Sequence, residues 1–159
     1  MSEKQVFDPT KTSYEGKEVE VLLPHRKPFL FVDRMLVVEK KRAVGEVTYG
    51  EDMWFFKGHF EGYPIVPGVI LIETMAQCGG AGLVATEQVP QGGLFFLVGV
   101  DDARFRRQVR PNETLRMEVE NVRVSSRMAI QRGKAYVGDE LAVEAEFRCV
   151  LGPAPEKIG

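Results

Sequence analysis

The chain carries two kinds of hydrophobic pattern: one long apolar block, and alternating runs on either side of it. From Val69 to Thr86 nearly every position is apolar or small, including Ile70, Leu71, Ile72, Met75, Ala76, Ala81, Leu83 and Val84. A helix that is apolar all round is a buried helix. Pro67-Gly68 opens it, because proline is tolerated in a first turn where its missing N–H would be unpaired anyway. Gly79, Gly80 and Gly82 weaken helix propensity, which predicts compensation by close approach to another backbone. Ahead of the block, Val19–Leu23 reads as a short helical or extended lead-in stopped by Pro24. Phe29–Glu39 and Ala43–Gly50 read as a hairpin with a solvated Lys40-Lys41-Arg42 tip. Behind it, after a Pro90–Gly93 turn, come four strand-like runs: Leu94–Arg107, Thr114–Val124, Met128–Val137 and Leu141–Leu151. Two strands, one buried helix and a meander of strands predict an α+β architecture, an antiparallel β-sheet wrapped around one long central α-helix. Its open edges invite pairing across a two-fold axis.

Composition narrows the classes. A chain of 159 residues, 44% apolar and 28% charged, is that of one globular domain, expected over 14–152 with tails at 1–13 and 153–159. A net charge of −2 argues against nucleic-acid binding. Two histidines and two cysteines 71 residues apart leave little room for a metal site, and no cofactor is expected. Cys78 and Cys149 sit among apolar neighbours and read as buried free thiols. The N-terminal residues lack the apolar core of a signal peptide, and apolar runs such as Gly68–Ile72 fall short of the ~20 residues a bilayer requires. A cytoplasmic protein without a membrane partner is expected.

Between the hairpin and the helix, Phe55–Pro67 concentrates Gly58, His59, Gly62, Pro64 and Pro67, which forces an irregular loop. The first N–H groups of the helix after it lack internal partners and carry the positive end of its dipole. With no side chain on Gly68 to block them, they can hold a carbonyl oxygen that becomes negative in a transition state. His59, eight residues before Pro67, is the acid or base within reach. Glu73 is a carboxylate on an otherwise apolar helix, and Gln77, one turn on, shares its face and can orient it. Such a set suits proton removal beside a carbonyl and protonation of a leaving hydroxyl, with no nucleophile. Each residue also has a plainer reading: His59 as a structural hydrogen bonder, Glu73 as the partner of an arginine.

The segment Trp54–Gly80, reading WFFKGHFEGYPIVPGVILIETMAQCGG, closely resembles the signature of the bacterial (3R)-3-hydroxyacyl-acyl carrier protein dehydratases of the Z type. Leu23–Arg34, the run Gly99–Arg107 and Glu144–Phe147 look like further motifs of that family, and the likeness spans about 19–151. The resemblance implies a hot-dog fold, a homodimer and a hexamer built as a trimer of dimers. It further implies an active site at the dimer interface, with His59 from one subunit, Glu73 from its partner and Gly68 N–H on the thioester carbonyl. A glutamate at position 73 favours the Z type over the sister dehydratase-isomerases, which carry aspartate there. Phe96 aligns with an aromatic gate at the acyl tunnel. The chain departs from the family's usual residues at Lys27, Thr74, Gln108 and Asn112, and the last two are expected to bear on chain-length preference.

The resemblance implies dehydration of (3R)-3-hydroxyacyl-acyl carrier protein to the trans-2-enoyl product in fatty acid elongation. The alternatives are a hot-dog enoyl-CoA hydratase or thioesterase, or a non-catalytic acyl-thioester-binding partner subunit. His25, in a Pro-His-Arg-x-Pro turn, reads as structural. The basic run Arg104, Arg106, Arg107 and Arg110 reads either as a solvated strand face or as a docking surface for an acidic acyl carrier protein.

Overall fold

The computed structural model describes residues 10–153 and 156. The tails expected at the two ends lie largely outside these residues. In chain order the elements are β1 (Tyr14–Glu15), a 3₁₀ turn (Gly16–Glu18), α1 (Val19–Leu22), β2 (Arg34–Val38), β3 (Arg42–Thr48), α2 (Gly68–Ala85), β4 (Leu94–Phe105), β5 (Thr114–Val124), β6 (Met128–Val137) and β7 (Glu140–Gly152). The seven strands among the described residues form one antiparallel sheet in the order β1-β2-β3-β5-β6-β7-β4. The sheet curls around α2, as expected for a hot-dog fold.

Helix α2 is long and apolar enough by composition to cross a bilayer, contrary to the expectation that no segment would be. Here the sheet covers it, and Leu71, Met75, Cys78, Ala81 and Leu83 are all buried. Its glycines do sit at close approaches, but against side chains more than backbone. A Cβ on Gly82 would lie 2.5 Å from the Ala43 Cβ, and one on Gly79 would lie 2.3 Å from Gln131 Oε1. Removing those side chains lets the sheet close onto the helix, which offsets the weaker helix propensity.

Two expectations about strands need correction. The run Phe29–Glu39 pairs as a strand only from Arg34, because the backbone of Phe29 and Phe31 is taken by the Gln77 side chain of α2. The four C-terminal strands are not a simple meander either. Only β5, β6 and β7 follow one another, while β4 lies beyond β7 at the sheet edge. The link after β4 crosses the start of α2, where the Val66 N–H donates to the Val109 carbonyl. This return lets β5 pair with β3 instead of with its sequence neighbour.

Strand β4 contains two irregularities, between Leu97 and Gly99 and between Asp101 and Arg104. Each sets one extra residue against β7, and Asp102 takes φ 52° in the second. A bulge flips the side-chain alternation of a strand. After two flips Phe95, Leu97, Ala103 and Phe105 all face the helix side, while Phe96 points away and lies against Gly152.

Candidate active site

His59 is carried by a loop that folds back on itself. Phe60 and Tyr63 exchange backbone hydrogen bonds of 2.8 and 2.9 Å, Gly62 supplies the positive φ of 73°, and the Ile65 N–H donates to the His59 carbonyl at 2.9 Å. A stretch that sequence reading leaves irregular is therefore a tight, closed turn. Within it His59 Nδ1 lies 3.0 Å from the Ile65 carbonyl. A carbonyl only accepts, so the proton sits on Nδ1 and the Nε2 lone pair is free to take a proton. The His59 ring stacks on Phe60, with centroids 4.2 Å apart.

The same loop delivers the start of α2. Ile70 and Leu71 N–H groups return to the Pro67 carbonyl, and no side chain caps the helix. Gly68 and Val69 N–H therefore have no protein partner among the described residues. His59, Gly68, Val66, Leu71 and Phe105 line one open cavity of about 400 Å³. A Cβ on Gly68 would meet the Phe105 ring at 2.8 Å, so a side chain there would displace that ring.

Glu73 lies elsewhere. It faces a second cavity of about 20 Å³, lined by Leu23, His25, Ala76, Gln77, Phe95, Leu97 and Cys149. Within one chain, then, His59 and Glu73 do not share a cavity. Gln77 donates one amide hydrogen to Glu73 Oε1 at 2.9 Å and the other to the Phe29 carbonyl at 2.9 Å, and its Oε1 accepts from the Phe31 N–H at 2.8 Å. An amide NH₂ has two hydrogens, and both are used. Gln77 therefore holds Glu73 in place, with both of its amide hydrogens taken. Cys149 shares this cavity, and burial, with the Glu73 charge behind it, pushes its thiol up to about 11. Burial likewise pushes Cys78 up to about 12. Neither thiol supplies a thiolate at neutral pH.

His25, read from sequence as a structural turn residue, reaches this cavity as well, with Nε2 3.4 Å from Glu73 Oε1. The signal was available in the chain, since this is one of only two imidazoles, but nothing local connects position 25 to position 73. Phe96 does not line either cavity; Phe95, on the opposite face of β4, packs on Gly80 beside Glu73.

The arginine run divides into two kinds. Arg106 pairs with Glu144 at 3.0 Å, and Arg107 with Glu113 at 2.7 Å and Glu140 at 3.3 Å. Among the described ion pairs, Arg104 and Arg110 have no carboxylate, and Arg104 donates only to the Ala103 carbonyl. Three of the four departures from the resembled family, Thr74, Gln108 and Asn112, have local partners. Thr74 bonds the buried Tyr49 hydroxyl at 2.7 Å, and Gln108 accepts from the Tyr63 hydroxyl at 2.8 Å, tying the His59 loop to the strand end. Asn112 adopts φ 66° and donates to Glu51, so its position serves a left-handed turn and lines neither cavity.

Comparison with known proteins identifies the family. The FabA-like domain profile matches residues 23–146. The chain belongs to the FabA-like family. Among its relatives in this family is the 3-hydroxyacyl-[acyl-carrier-protein] dehydratase FabZ of Moorella thermoacetica, 44% identical over 141 residues, covering 88% of this chain and 96% of that protein. The FabZ of Pelotomaculum thermopropionicum is 48% identical over 133 residues, covering 82% and 93%. Of solved structures, the dehydratase heterocomplex ApeI:P from Xenorhabdus doucetiae superposes with a TM-score of 0.73 at 19% identity, over 87% of this chain and 91% of that one. Cj0977 of Campylobacter jejuni superposes at 0.64 and 11% identity, over 88% and 99%. At such identities the structures support the hot-dog fold of the FabA-like family and nothing more.

Proposed function

We propose that this protein is a hydro-lyase of fatty acid biosynthesis that dehydrates (3R)-3-hydroxyacyl-acyl carrier protein to the trans-2-enoyl thioester. One observation carries the chemistry. An imidazole with a free Nε2 shares a cavity with the uncapped N-terminus of a long buried helix. His59 Nε2 takes the C2 proton. Gly68 N–H and the helix dipole hold the thioester oxygen as it gains enolate charge. The C2 electron pair then forms the C2=C3 bond as the C3–O bond breaks, and a proton passed from Glu73 to the leaving oxygen, directly or through a water, lets it depart as water. Names of relatives at 44 to 48% identity over most of the chain support the substrate class.

His59 and Glu73 face separate cavities, so the complete site in this proposal joins His59 of one subunit to Glu73 of another. Strand β4 is a long edge that exposes Phe96, Val98 and Val100. An unpaired apolar edge of this kind is normally covered. The proposed homodimer pairs β4 edges across a two-fold axis, and the family resemblance extends it to a trimer of dimers. Phe96, displayed on that edge, keeps its proposed contact with the acyl chain only in such an assembly. The domain is taken as 14–152 and the compartment as the cytoplasm, where carrier-borne acyl chains are elongated.

The test is enzymatic. Purified protein mixed with a crotonyl thioester should consume the enoyl absorbance by hydration, and His59→Ala should not. Its mass in solution should be that of six chains. A wild-type protein with no activity toward any enoyl or 3-hydroxyacyl thioester would overturn the reading.

A further inference from the structure

Glu73 has two carboxylate oxygens, and the structure treats them differently. Gln77 Nε2 donates to Oε1 at 2.9 Å, and His25 Nε2 stands 3.4 Å from the same Oε1. Among the described residues no lysine or arginine pairs with this carboxylate, and the rest of the cavity wall is apolar apart from Cys149. Gln77 thus hydrogen-bonds one oxygen, the His25 imidazole stands within ion-pair range of the same oxygen, and Oε2 has no partner among the described residues.

The imidazole is not needed to make the turn it sits in. Arg26 Nη1 donates to the carbonyls of Leu23 at 2.8 Å and of His25 at 2.7 Å, and the Phe29 N–H closes back on the Arg26 carbonyl at 2.8 Å. A guanidinium and backbone bonds therefore hold the backbone from Leu23 to Phe29. The other ring nitrogen, His25 Nδ1, is the single buried side-chain N or O atom without a hydrogen-bond partner among the described residues. Histidine with a buried orphan nitrogen is a poor choice for a purely structural site, because an unmade hydrogen bond is costly. The Nε2–H tautomer fits, since the one acceptor within range lies on that side. At 3.4 Å this is an ion-pair contact and not a formed hydrogen bond, and catalytic contacts of this length in a substrate-free site commonly shorten in the substrate complex.

We propose that His25 is a positioning residue for the dehydration: with Gln77 it fixes Oε1 of Glu73 and so presents Oε2 to the C3 hydroxyl that leaves. The inference rests on the function proposed above. The cavity of about 20 Å³ beside this pair has room for a single water, in keeping with a reaction that releases one.

Two substitutions separate the donor from the ring. Asparagine reaches only as far as Nδ1, whereas glutamine carries an N–H as far as Nε2. His25→Asn should lower kcat about tenfold with KM and melting temperature unchanged, the loss expected for one hydrogen bond to a charged group. His25→Gln should bring kcat back to within about threefold of wild type. Steady-state kinetics on a 3-hydroxyacyl or crotonyl thioester, with thermal melts of each variant, reads all of this. Equal kcat in all three proteins overturns the inference, as does an equal loss in both variants. A change in KM alone, or a loss that tracks a fall in melting temperature, overturns it too. Wild-type protein without turnover would instead overturn the functional reading, and the inference with it.

Discussion

His59 turns Nδ1 toward the carbonyl of Ile65, 3.0 Å away and six residues along the same loop. That bond sets both the tautomer and the direction of Nε2. Asparagine at this position can keep the bond to Ile65 but has nothing where Nε2 was. His59→Asn should therefore melt like the wild type while turnover falls by at least about 10²-fold, the usual share of a positioned acid or base. Parallel thermal melts and kinetics check it, and a fall in stability matching the fall in rate would make His59 a loop tie instead of a base.

Tyr49 and Thr74 form a buried hydroxyl pair at 2.7 Å, and Thr74 also donates to the Ile70 carbonyl. Burial pushes the Tyr49 phenol above its ordinary range, so it stays a neutral donor at any ordinary pH. Thr74→Ala strands that hydroxyl and should cost about 1–3 kcal/mol. Adding Tyr49→Phe should cost less than the sum of the two single changes, because the stranded group is then gone. Urea denaturation of the four proteins measures the difference.

Glu113 is held below the ordinary carboxylate value of 4.5, chiefly by its hydrogen bond from Arg107, with the Arg110 N–H and the arginine charges adding to it. A carboxylate with a lowered folded-state pKa stabilises the fold fully above its ordinary value, and that contribution is lost as pH falls through and below it. Glu113→Gln should therefore reduce stability at pH 7 and flatten the loss of stability on acidification below about pH 4.5. Melting temperatures across an acid series decide this, with identical slopes as the contrary outcome.

Arg106 and Arg107 already have carboxylates, whereas Arg104 and Arg110 have none among the described ion pairs. Within this run, Arg104 and Arg110 are therefore the proposed contacts for an acidic carrier protein. Arg104→Glu with Arg110→Glu should raise KM for a carrier-borne substrate at low salt and leave KM for a small thioester unchanged. Steering by exposed charge weakens as salt screens it, so the effect should fade at high ionic strength. A KM shift that is equal for both substrates would assign these residues to the general fold.

The parts of the site readable in the chain are those set by near neighbours. Pro67-Gly68 starts α2 where expected, the apolar block forms the core helix, and Gln77 bonds Glu73 because four residues are one helical turn. The contact of His25 with Glu73 is not readable there, for the opposite reason. Its turn is local, but its side chain meets a residue 48 positions away, and no local pattern encodes that meeting.

By itself the sequence determined the helix, the strands as runs of alternating residues, and the chemistry available: two imidazoles, one carboxylate on an apolar helix and an uncapped glycine start. These follow from backbone periodicity and side-chain identity, which act within a few residues. Tertiary structure alone decided that β4 joins β7, that two bulges turn Phe95 and Leu97 toward Glu73, and that Gln77 substitutes for a strand partner of Phe29 and Phe31. It also decided that His59 and Glu73 face different cavities of one chain. Those outcomes depend on register and on which distant surfaces close upon α2, and a one-residue slip in either would change every contact without changing the local pattern.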